Sequence, residues 1–212
     1  MLDKIRDPMS CLSHCAGAVA AFFCTLWMVH KAVPLGVSYT ASFAIFGISL
    51  IMLYSASTVY HMVRASDSTI RLLRRIDHTM IFFLIAGTYT PICVLPLRGV
   101  WGWSLLAVVW GLALVGVFIK IFWLHAPRSL STGMYVLMGW IVVFAFYPLM
   151  NAISTGEFLL LLFGGLSYTA GAVIYALKWP QIKHFGFHEI FHLFVLLGSA
   201  LHVIFMVQLF PL

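Results

Sequence analysis

The residues of this sequence that can do chemistry stand in stretches that are otherwise apolar. Ser57 and His61 lie within YSASTVYH, Asp77 and His78 within RRIDHTMIFF, and His188, Glu189, His192 and His202 within GFHEIFHLFVLLGSALH. Ser57 and His61 are four residues apart, as are His188 and His192, so on a helix each pair shares one face. Two imidazoles at i and i+4 can bind one metal ion, the geometry that HExxH helices use. His61 would add a third nitrogen from a neighbouring helix. Three histidines with an open fourth position make the catalytic kind of zinc site, whereas structural sites fill all four positions with protein ligands. A carboxylate and a hydroxyl beside such a metal complete the set that hydrolysis needs.

Taken singly, each of these residues has a structural alternative. His188 can cap a helix start, Glu189 suits the positive end of a helix dipole, His61 can sit among headgroups, and Asp77 can pair with Arg74 or Arg75. Depth in the fold is what separates these readings, and depth follows from the elements that carry the residues.

The chain has 212 residues, 63% of them hydrophobic and 8% charged, with a net charge of +6. Soluble domains carry about 25% charged residues, so a soluble enzyme, a disordered tail and a nucleic-acid-binding domain are excluded. Seven apolar stretches, at about residues 11–29, 39–62, 76–95, 101–122, 133–150, 158–177 and 188–210, each approach the roughly 20 residues that cross a bilayer. They predict an all-α integral membrane protein with a single seven-helix transmembrane domain over residues 1–212. The alternating short segments of a β-barrel are absent. The first stretch is too long for a signal-peptide core and lacks a small-residue cleavage site, so it is expected to be a retained helix. Pro91 is expected to kink the outer half of the third span.

Basic residues set the orientation. With a cytoplasmic N-terminus, the inner segments hold Lys4, Arg6, Arg64, Arg71, Arg74, Arg75, Lys120, Arg128, Lys178 and Lys183, against Lys31 and Arg98 outside. That bias places the N-terminus in the cytoplasm and, after seven crossings, the C-terminus outside. The positive charge thus serves topology and inner-leaflet phosphates. The expected partners are membrane lipids, with no nucleic acid and no soluble protein partner evident. Gly164, Gly165 and Gly171 in the sixth span offer close packing within or between chains, which leaves a homo-oligomer open.

In this topology the second span ends, and the third and seventh begin, on the cytoplasmic side. His61, Asp77, His188 and His192 therefore reach one depth from three helices. Unpaired polar groups there would be costly, so His61, His188 and His192 are expected to bind a metal, with Asp77 and Ser57 beside it. His202 is ten residues beyond His192, about 15 Å along a helix, too far for the same ion. His78 points about 100° away from Asp77 and is read either as packing or as a support behind the residues of the site. Cys11, Cys15, Cys24 and Cys93 form no CxxC pair. Cys11 and Cys15 share a face with His14 adjacent, and are expected to pack as small apolar side chains rather than to bind a second metal.

The stretches YSASTVYH at 54–61, RRIDHTMIFFLIAGTYTP at 74–91 and GFHEIFHLFVLLGSALH at 186–202 resemble the hemolysin III group of bacterial membrane proteins, related to the progestin and adipoQ receptor (PAQR) family. The resemblance implies seven helices around an internal Zn2+ near the cytoplasmic side of a bacterial inner (plasma) membrane. His61, His188 and His192 match the family's zinc ligands, and Asp77 and Ser57 match the polar partners of the zinc's water. The wider superfamily includes alkaline ceramidases, which hydrolyse a lipid amide. The expected function is hydrolysis of a lipid amide or ester at the inner leaflet. The alternative is regulation of membrane lipid homeostasis without turnover. A pore-forming haemolysin is disfavoured, because no amphipathic or secreted segment is present and the spans look permanently inserted.

Overall fold

The computed structural model describes residues 5–123, 127–182 and 185–211. Lys4 and Lys183, two of the basic residues from which an orientation is expected, lie outside them. Every regular element among the described residues is helical: α1 (Pro8–Ala32), α2 (Val37–Met62), α3 (Asp67–Ile92), α4 (Gly99–Phe122), α5 (Arg128–Trp140), α6 (Phe146–Met150), α7 (Thr155–Leu177) and α8 (Phe187–Gln208). They make seven helical passes long and apolar enough to cross a membrane, the fifth built from α5, a short 3-10 segment and α6. The chain is an integral membrane protein with the architecture its apolar stretches predict.

Local signals set the helix starts. Pro8 opens α1, Ser66 caps α3 by accepting from the Thr69 amide, and Ser154 forms a reciprocal capping box with Glu157 on α7. Glu189 reaches back from the first turn of α8 to accept from the Gly186 amide at 2.9 Å. Such caps satisfy amides that the helix itself leaves open.

Packing then brings the ends of the chain together. α1 lies along α2, α2 along α3, and α7 along α8, while α8 returns to touch α1. A Cβ added at Gly47 would meet Thr25 Oγ1, and one added at Gly87 would meet Ser49 Oγ, so α1, α2 and α3 approach as closely as glycine permits. Between α1, α2 and α8 lies a core of Met28, Phe43, Phe46, Leu50, Tyr54, Phe205 and Met206. A second core joins α3, α4 and α5 through Phe82, Val109 and Met138. Val108, Leu114, Val115 and Phe118 of α4 are exposed, which for this composition means exposed to acyl chains.

The fifth span departs from the single helix expected over 133–150. It loosens into a 3-10 segment at Ile141–Ala145 before α6. Pro148 supplies the reason: proline has no N–H for the turn before it, and its ring crowds the carbonyl four residues back. Irregular backbone at membrane depth is tolerated where protein satisfies it, and Tyr89 of α3 does so. Its hydroxyl donates to the Gly139 carbonyl and accepts from the Val142 amide, both at 2.9 Å. α3 itself continues helically through Pro91 and passes into a π-type turn only at Cys93–Leu97.

Tyr89→Phe removes that hydroxyl and strands one donor and one acceptor in the core. The variant is expected to lose about 1–3 kcal/mol of stability, read as a lowered Tm in detergent; an unchanged Tm would mean that the break is satisfied in some other way.

Candidate metal centre

Two helices deliver the imidazoles. His61 sits in the last turn of α2, and His188 and His192 lie one turn apart at the start of α8. One ring nitrogen from each lies within 4.8 Å of the others. His61 Nε2 and His188 Nε2 are 3.2 Å apart. A tetrahedral ion with nitrogens at 2.0–2.1 Å holds any two of them about 3.3 Å apart, so this spacing is one a single ion can bridge. His61 and His192 are each 2% exposed, and a donor set of this kind suits zinc or a similar transition metal. No fourth protein ligand is among the described residues that group there.

Asp77, about three turns into α3, is buried at the same end of the bundle. Its carboxylate interacts with His61 and with the Ser57 side chain; among the described residues no ion pair joins it to Arg74 or Arg75. Ser57 and Asp77 share with His188 and His192 the wall of one cavity of about 160 Å3. From there the cavity runs between α3, α5, α7 and α8 past Ile81, Leu84 and Val195 to His202. The site predicted from the sequence thus comes together as a unit, and His202 lies at the far end of the same cavity, not at the cluster. His202 Nε2 faces the Leu161 carbonyl at 3.3 Å.

Two residues of the site escaped the sequence reading, and both come from the start of the chain. His14 is 3% exposed, its ring stacked on that of His192 with centroids 3.6 Å apart and planes 9° from parallel. Its Nδ1 is 2.7 Å from Ser57 Oγ. It belongs with the histidines and not with Cys11 and Cys15, which are free thiols, the first buried and the second exposed. Asp7, just ahead of α1, bonds His61 Nδ1 through Oδ2 at 2.9 Å. That bond, helped by Arg6 and opposed by partial burial, holds the Asp7 carboxyl below the usual carboxylate range. Between them Ser10 donates to Glu189 Oε1 at 3.2 Å. Asp7, Ser10 and His14 are spaced i, i+3 and i+7, so α1 and its cap present one polar face to the cluster; that spacing was the signal available in the sequence.

The helices that carry the cluster are pinned above it. Tyr54 of α2 donates to Ser199 Oγ of α8 at 2.6 Å, and the Tyr168 hydroxyl of α7 lies 2.7 Å from the same oxygen.

A profile of the family described as "Haemolysin-III related" matches residues 2–203. A "Hemolysin-3 homolog" of Bacillus subtilis (strain 168) is 39% identical over 190 residues, 89% of this chain and 87% of the relative. "Hemolysin-3" of Bacillus cereus is 37% identical over 191 residues, 90% of this chain and 85% of the relative. "Monocyte to macrophage differentiation factor" of Homo sapiens is 28% identical over 162 residues, 74% of this chain and 66% of the relative.

The hydroxyl junction at Ser199 yields a graded prediction. Tyr168→Phe removes one bond and should cost about 0.5–1.5 kcal/mol, whereas Ser199→Ala strands the Tyr168 hydroxyl and leaves that of Tyr54 only the Val195 carbonyl at 3.5 Å, and should cost about 1–3 kcal/mol. Thermal unfolding in detergent checks the order, and the reverse order would show that the hydroxyls find other partners.

Proposed function

The chain belongs to the haemolysin-III-related family, and from that premise we propose that it is a zinc-dependent hydrolase of a lipid amide or ester. The observation that carries this reading is the convergence of three imidazole nitrogens, within 4.8 Å of one another, beside a buried carboxylate and a buried hydroxyl. His61, His188 and His192 would hold the ion, and the position they leave open suits catalysis better than a closed structural site. Once bound, Zn2+ supplies a Lewis acid for the acyl carbonyl and lowers the pKa of water toward about 7.

The chain's own residues do the rest. Asp77 takes a proton from the attacking water and hands it to the departing amine or alkoxide, the work of a general base and then a general acid. Ser57 donates to the developing oxyanion, and His14, 2.7 Å away, fixes the orientation of that hydroxyl. Ile81, Leu84 and Val195 line the cavity beyond and offer an acyl chain an apolar wall. With the orientation that the basic residues favour, the centre faces the inner leaflet of a bacterial inner (plasma) membrane, and substrate enters sideways from the bilayer.

Purified protein is expected to carry zinc, His61→Ala to lose it, and chelation of the metal to lower the Tm, as removal of any ligand bound only to the folded state does. Ceramide-like amides should be cleaved by the wild type and not by His192→Ala. Asp77→Asn should keep its zinc and turn over about 10²–10⁴-fold more slowly. Equal product from wild type and His192→Ala would overturn hydrolysis; zinc without any product would favour lipid homeostasis without turnover.

A further inference from the structure

His61 differs from His192 of the cluster in what holds its second nitrogen. Its Nε2 faces His188 at 3.2 Å and its Nδ1 faces Asp7 Oδ2 at 2.9 Å. An ionised carboxylate only accepts hydrogen bonds, so the Nδ1 edge carries the proton and the Nε2 edge carries the lone pair. Among the described residues no carboxylate hydrogen-bonds the buried Nδ1 of His192, whose ring is held by the His14 stack.

Asp7 is itself fixed from several sides. Its amide donates to the His61 carbonyl at 3.0 Å, and the Arg6 amide donates to the Met62 carbonyl at 3.4 Å, so the peptide ahead of α1 runs along the end of α2. Arg64 Nη2 holds the Ile5 carbonyl at 3.0 Å. Arg6 donates through Nε to the same Oδ2 at 2.9 Å, while its guanidinium lies 4.2 Å from the centre of the Tyr60 ring. Asp7 also occupies the N-cap position of α1, where an aspartate ordinarily accepts from an amide of the first turn. Its side chain makes no such bond. The carboxylate is turned away from its own helix and toward the histidine.

We propose that Asp7 is a positioning residue of the metal centre, holding His61 in the tautomer that presents Nε2 to His188 and His192, so that the peptide ahead of the first span is part of the centre. The inference rests on the metal-binding reading above and extends it to a residue outside the spans. Carboxylates placed behind a metal-bound imidazole fix its orientation and raise its basicity, and losing one typically costs 10–100-fold in affinity.

The test is metal affinity of purified full-length protein, measured by competition with a chromophoric chelator for Zn2+ and by the visible absorption of bound Co2+. Asp7→Asn and Asp7→Ala are expected to weaken Zn2+ binding by roughly 10–100-fold and to alter the Co2+ spectrum at saturation, with far-ultraviolet circular dichroism unchanged. Asp7→Glu should recover part of the affinity. Should Asp7→Ala fail to fold, the nearly isosteric Asp7→Asn decides. A wild type that binds metal and an Asp7→Asn that binds it within twofold, with the same Co2+ spectrum, would overturn the role of Asp7 alone, even if that variant melted lower. A wild type that binds neither ion would overturn the metal centre and this inference together.

Discussion

A polar group inside a bilayer has no water to fall back on, so pairing it within the protein is strongly favoured. That preference shapes the bundle more than the packing of apolar side chains does, because acyl chains are as apolar as leucine and do not by themselves drive helices together. It accounts for the Tyr54–Ser199–Tyr168 junction, for Tyr89 serving both sides of the broken fifth span, and for the gathering of four imidazoles, a carboxylate and a hydroxyl at one end. Each is a place where helices distant in sequence meet because their polar groups have nowhere else to go.

α1 acts as the strut of this arrangement. Its cap and first two turns reach α2 through Asp7 on His61 and His14 on Ser57, and reach α8 through Ser10 on Glu189 and His14 on His192. The contacts repeat along one face, with Gly17, Ala21, Thr25 and Met28 continuing it as the buried edge of the helix. The polar and apolar parts of that edge do different work: the first orients the cluster, and the second sets how closely α1 and α2 approach.

The seven spans were legible because length and composition alone decide them, and the cluster was legible because i, i+4 spacing and the alternating direction of the spans both act locally. His61, His188, His192, Asp77 and Ser57 all belong to elements whose depth follows from counting. Asp7 and His14 did not yield to that reading. Their partners lie 54 and 43 residues away, and spacing within one helix says nothing about which face meets which neighbour. Of the neighbouring cysteines, Cys11 shares the buried edge of α1 with Ser10 and His14, whereas Cys15 is exposed. The break in the fifth span has the same explanation. Pro148 marked it, but that a tyrosine on α3 would satisfy the freed backbone depends on packing between helices.

The imidazoles that face one another, His61 and His188, are 127 residues apart in the chain. α1 and α2 leave the ribosome before α8, so until α8 is made His61 and the Asp7 carboxylate have no imidazole across from them. The cluster closes only when α8 has entered the membrane and turned its first two turns toward α1. Completion of the cluster therefore reports that α8 has inserted beside α1 and α2: a chain truncated before α8 keeps six of the seven apolar passes, yet contains no more than one of the three nitrogens.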